Sequence, residues 1–191
     1  MKSMPERRKK MIVGGFIAFI MVASVFVVTL DFLFTPTNNL TYNGVKFAVA
    51  QNQFTARINQ KQYRFLVYPA DLEDLNLSQA GKDLLKAAVL TITYDPQSGM
   101  AQDLATAQYY LEDQLKDVKV IDRAVLNNTG LSLAQESCAN ATSSQPVIEL
   151  LEAQSSGIAV EGNCIRLAAI DGQDLLKMSE RVIYQVLGVM T

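Results

Sequence analysis

The chain has 191 residues, 49% hydrophobic and 19% charged, with 17 basic and 19 acidic residues, two cysteines and no histidine. Five basic residues fall in the first ten positions, and beyond residue 10 only 12 basic residues stand against 18 acidic ones. Without histidine a Ser-His-Asp relay is excluded and two thiolates alone do not complete a tetrahedral metal shell, while the acidic balance argues against nucleic acid, which needs a basic footprint.

The tail, residues 1–10, carries Lys2, Arg7, Arg8, Lys9 and Lys10 and precedes an uncharged run of 20 residues, Met11–Leu30. As a helix rising about 1.5 Å per residue, such a run matches the roughly 30 Å hydrocarbon core of a bilayer. Twelve of its positions are Ile, Val, Phe or Leu, and basic residues ahead of it favour a cytoplasmic N-terminus. The expected organisation is therefore a cytoplasmic basic tail (1–10), a transmembrane helix with its boundary (11–34) and one extracytoplasmic domain (35–191). A cleaved secretory signal competes, with Val22 and Ser24 as small-residue positions, but cutting there would leave Val25–Leu30 on a soluble N-terminus. Gly14-Gly15-Phe16 after a basic run resembles a pilin-type signal, although Ile20 stands where that pattern carries Glu.

Past a linker with Pro36, the fold class expected is mixed α+β. Asn43-Gly44 is a hairpin signal between Leu40–Tyr42 and Val45–Val49. Phe54, Ala56 and Ile58 alternate with Thr55 and Arg57, and Tyr63, Phe65 and Val67 alternate with Arg64 and Leu66, which predicts an antiparallel β-meander with one core face. Ser78 is placed to cap a helix running towards Ala88. A β-α-β unit follows: strand Val89–Tyr94, a break at Asp95–Gly99, a helix with Met100, Leu104, Ala107, Leu111 and Leu115 at helical spacing, and strand Val118–Val125. Tyr109-Tyr110 on that helix reads as packing. After a polar loop, Asn127–Gln145, come strands Val147–Leu151, Ile158–Val160 and Cys164–Ile170, and then an amphipathic C-terminal helix. Asp171 or Asp174 can cap that helix; its apolar face runs from Leu175 to Met190, and its polar face is expected to carry Asp174, Lys177, Glu180 and Arg181.

Cys138 and Cys164 both lie in the segment expected outside the cytoplasm, where a disulfide persists. A bridge is the favoured reading, and two buried thiols are the alternative. Four sequons, at Asn39, Asn76, Asn127 and Asn140, use four of ten asparagines, more than chance supplies, and are expected glycosylation sites with Asn140 the preferred acceptor. Ser78 of the second sequon has its capping role as a competing explanation.

For chemistry, the Asp95–Gly99 loop is the best candidate, because it joins the carboxyl end of a strand to a helix N-terminus, where α/β sheets bind ligands. Asp95 and Ser98 would line it. It lacks a phosphate-cradling motif, and a capped turn is the competing reading. Neighbouring acid pairs such as Glu112-Asp113 point in different directions and read as solvated charges. No metal and no cofactor is expected.

The segments PVIELL (146–151), NCIRLAAI (163–170) and DLLKMSERVIYQVLGVM (174–190) resemble uncharacterised archaeal single-pass proteins with an N-terminal span and a small ectodomain. That resemblance implies location and no activity. The function expected is a non-enzymatic, membrane-tethered interaction or envelope-assembly module, with the lipid bilayer and a protein of the membrane or envelope as partners. The alternative is a small-ligand binder or enzyme using Asp95–Gly99.

Overall fold

The computed structural model describes residues 16–25, 38–128 and 130–191. Of the run Met11–Leu30, only residues 16–25 are therefore described; they are helical, with Phe16, Phe19 and Met21 exposed. Among the described residues no helix is long and apolar enough to cross a membrane. The basic tail, the rest of the run and the Pro36 linker lie outside the described residues.

The second unit, from Asn39 onward, is a mixed α+β fold. Its first sheet is the expected antiparallel meander, with strands β1 (Asn38–Tyr42), β2 (Val45–Ala50), β3 (Gln53–Ile58) and β4 (Lys61–Phe65) in sequential order. Each strand reverses through a two-residue loop with both residues at positive φ: Asn43-Gly44, Gln51-Asn52 and Asn59-Gln60. This left-handed pairing matches the right-handed strand twist, and asparagine tolerates it better than most residues do. Period-two alternation turns Phe47, Ala56, Ile58, Tyr63 and Phe65 inward, all at most 7% exposed.

Tyr68 leads into a 3-10 turn, Pro69–Leu72. Ser78 accepts from the Gly81 amide and caps a short helix, α1 (Gln79–Leu84), which ends four residues before Ala88. Strand β5 (Val89–Tyr94), helix α2 (Ala101–Leu115) and strand β6 (Val120–Val125) form the expected β-α-β unit, with β5 and β6 parallel neighbours in the register Leu90 to Ile121. The second sheet runs β7-β6-β5-β8-β10-β9, adding β7 (Ala134–Gln135), β8 (Val147–Glu152), β9 (Gly157–Glu161) and β10 (Cys164–Ala169). Only β9 is antiparallel to its neighbour, which makes this sheet mixed. The polar loop Asn127–Gln145, read as irregular, contains β7 and a 3-10 turn, Cys138–Asn140. It lies over the face of the sheet opposite the helices: Thr93 Oγ1 donates to the Glu136 carbonyl at 2.8 Å, and Gln145 Nε2 donates to Thr91 Oγ1 at 3.0 Å.

The final helix, α3 (Gly172–Val186), starts where Asp171 Oδ1 accepts from the Gln173 and Asp174 amides at 2.9 Å. It packs on α2 and on β10, while Tyr184 turns the other way, its ring centroid 4.3 Å from that of Phe65 and 6.1 Å from that of Phe47. The helix is thus enclosed by the meander on one side and the six-stranded sheet on the other. This corrects the expected polar face: Glu180 is 0% and Arg181 5% exposed, whereas Lys177 is solvated and Asp174 is partly so. A single apolar stripe describes a helix lying on one surface, and α3 lies between two.

Leu187, just past the last turn of α3, is 6% exposed. Leu187→Ala is expected to lower the unfolding free energy by about 2–5 kcal/mol through lost burial and a residual cavity, whereas Lys177→Ala at an exposed ion pair changes it by less than about 1 kcal/mol. Denaturant unfolding of both variants measures the contrast.

Candidate functional site

The Asp95–Gly99 loop sits where expected, between β5 and α2. Its polar groups are already engaged. Asp95 Oδ1 accepts from the Gln97 amide at 2.9 Å, closing an Asx turn, and from Asn127 Nδ2 at 3.4 Å. Ser98 Oγ donates to Glu152 Oε2 at 2.6 Å and accepts from the Met100 amide at 3.0 Å. That amide also lies 3.3 Å from Glu152 Oε2. The carboxylate at the end of β8 therefore occupies the position that a bound anion would take at the α2 N-terminus, where free amides and the helix dipole favour negative charge. The fit is close, since a Cβ on Gly99 would come within 3.2 Å of Glu152 Oε2. Asp95 and Ser98 share the loop but not a partner.

Glu152 was not among the sequence candidates because it lies 54 residues from Ser98. The available signal was β-period alternation: Ile148 and Leu150 face the helices, so Glu152 continues on that same face at the strand's end.

The strongest concentration of buried polar chemistry lies elsewhere, around Glu180. Its Oε2 accepts from the Val67 amide at 2.7 Å, and its Oε1 accepts from the Leu66 amide at 2.7 Å and from the Tyr110 hydroxyl at 2.7 Å. One turn later Tyr184 donates its hydroxyl to the Val67 carbonyl at 2.8 Å. Burial pushes the Glu180 carboxyl above its usual range; the three donors pull it back, and burial is the larger effect. Burial beside Glu180 also drives both phenols, Tyr110 and Tyr184, well above their ordinary range. Tyr110 Oη lies 3.4 Å from the Arg64 carbonyl as well, so it can donate there and accept from a protonated Glu180. The neighbouring Tyr109 is 58% exposed and stacks under the Arg123 guanidinium at 4.3 Å.

Cys138 and Cys164 are joined in a disulfide with a Cα separation of 5.2 Å, tying the polar loop to the start of β10. Glu149 Oε2 lies 2.6 Å from Cys138 Sγ and accepts from Arg166 Nε at 2.9 Å. Cys138, Glu149 and Cys164 thus lie within 4.8 Å of one another, but two sulfurs bonded to each other are no thiolate pair, and the carboxylate is held by arginine. The four sequon asparagines Asn39, Asn76, Asn127 and Asn140 are exposed, and Thr129 of the third sequon lies outside the described residues.

A carboxyl group whose folded-state pKa is raised stabilises fully below its unfolded value, ordinarily 4.5 for Glu180, and that contribution is lost as pH rises through the folded-state value. The stability of the parent chain relative to Glu180→Gln is therefore expected to decline as pH rises from the ordinary glutamate range; a difference that grows instead contradicts the assignment. Glu180→Ala, which takes the acceptor from the Leu66 and Val67 amides while Tyr110 can turn to the Arg64 carbonyl, is expected to lose about 2 kcal/mol or more. Urea unfolding across pH checks both statements.

The chain matches no protein family model, and no curated protein and no solved structure is similar to it.

Proposed function

We propose that this chain is a membrane-tethered module whose domain from residue 35 onward lies outside the cytoplasm and acts by contacting a protein of the membrane or envelope. The observation that carries this reading is the occupancy of the strand-end position by Glu152. A ligand binder working from Asp95–Gly99 would first have to displace a carboxylate that holds both Ser98 and the α2 N-terminus. The buried ionisable groups around Glu180 are likewise spent on joining layers, with their hydrogen bonds directed at backbone atoms of the same chain.

The tether is supported by the uncharged run Met11–Leu30 behind its basic tail, and the outward orientation by the Cys138–Cys164 bridge. A glycan at the exposed Asn140 fits the same compartment. An impermeant protease added to intact cells is expected to remove an epitope placed after Thr191, while crosslinking in intact membranes yields a discrete heavier adduct of the full chain. Protection of the epitope until lysis contradicts the orientation, and a monomer alone at saturating crosslinker contradicts the interaction role.

A further inference from the structure

Charge in this chain is segregated. Between Asp31 and Asp71 the sequence has no acidic residue and four basic ones, Lys46, Arg57, Lys61 and Arg64, whereas from Asp71 to the end 17 acidic residues stand against eight basic ones. The basic stretch is the meander. Its inner face is apolar, so β-alternation sends Lys46, Arg57 and Arg64 to the outer face, where all three are exposed. Lys61 pairs with Asp117, but among the described residues none of the other three has a carboxylate within 4 Å. Lys46 and Arg57 border one hollow of about 440 Å³, whose remaining lining is neutral: Asn39, Thr55, Gln60 and Gln62 with two alanines. Arg64 stands across from Thr55 on the same face.

The register that pairs Phe47 with Ala56 sets Lys46 opposite Arg57, a like-charge pair that costs free energy and that a bound anion relieves. Chain connectivity restricts which anion is at hand. Seven residues lie between Leu30 and Asn38, eight Cα steps, at most about 28 Å of fully extended chain. With the apolar run in the bilayer, as the tether proposes, Asn38 stays within that reach of the end of the run.

We propose that the outer face of the meander binds an anionic lipid surface, with Lys46, Arg57 and Arg64 against headgroup phosphates and the amide and hydroxyl groups of the hollow receiving a headgroup. The proposal rests on the tether proposed above. Asn39 borders the hollow, so this face requires it to be bare, and a glycan at Asn39 on the native protein would overturn the assignment.

The test uses the full chain in nanodiscs of phosphatidylcholine alone or mixed with phosphatidylglycerol, with a fluorophore on Gln53→Cys, on the same outer face but outside the hollow, and a quencher on lipid headgroups. Each cation near an anionic surface shifts adsorption about fivefold, so the three together should raise the adsorbed-to-free ratio on the order of 100-fold. Strong quenching is expected in phosphatidylglycerol discs only. It should vanish in high salt and in the triple variant Lys46→Glu, Arg57→Glu, Arg64→Glu, and persist in the charge-matched control Lys82→Glu, Lys86→Glu, Lys116→Glu. Equal quenching in both lipids, or in the parent and the first triple variant, overturns the lipid-binding face while leaving the tether standing. A chain that co-purifies with neither disc overturns the tether, and this proposal with it.

Discussion

The fold depends on one buried carboxylate. Strand β4 ends at Phe65, and the chain then leaves the meander beside α3, where the amides of Leu66 and Val67 bond to a side chain of that helix and not to a neighbouring strand. Buried amides and carbonyls without partners are destabilising. Helix α3 supplies those partners from adjacent turns: Glu180 accepts from both amides and Tyr184 donates to the Val67 carbonyl. Tyr110 on α2 completes the set from the second helix. The end of the meander and the helix pair are thereby joined by directional bonds, a constraint that the surrounding Phe47, Phe65 and Tyr184 rings do not impose by packing alone.

The same device recurs. Arg181 Nε donates to the Leu75 carbonyl at 3.2 Å, fastening the connection after the 3-10 turn to α3. The buried Gln108 donates both of its amide hydrogens, to the Ile92 and Ala124 carbonyls at 2.7 and 2.8 Å, fastening α2 to β5 and β6. Glu152 does this at the strand end. Polar side chains that a functional reading would reserve for substrate are, in this protein, the joints between elements. The cations on the outer face of the meander stand out by contrast, because no carboxylate among the described residues lies within 4 Å of Lys46, Arg57 or Arg64.

Much of this was legible locally. Strand alternation, the Asn43-Gly44 turn, the Ser78 and Asp171 caps and the β-α-β unit each rest on signals a few residues long. Gln51-Asn52 and Asn59-Gln60 were less legible as turns, since glutamine has no local preference for positive φ and adopts it here because the strands on either side fix the reversal. Strand β7, at two residues, is too short to show a period. Glu180 and Arg181 were assigned to solvent because helical periodicity locates one apolar stripe and is blind to a second layer arriving from the far end of the chain. The candidate loop was found, but its occupant was not, because the Ser98–Glu152 contact joins residues far apart in sequence.

Amide hydrogen exchange at Leu66 and Val67 tests the central claim most directly. Both residues follow the end of β4, and Leu66 is 48% exposed as a residue, so an ordinary connecting segment would exchange there by local opening. If their amides are held by the Glu180 carboxylate, they should exchange only as slowly as the core amides of β5, with protection that tracks the global unfolding free energy and is lost in Glu180→Ala under conditions where that variant remains folded. Fast, loop-like exchange at both positions in the parent chain would contradict the account.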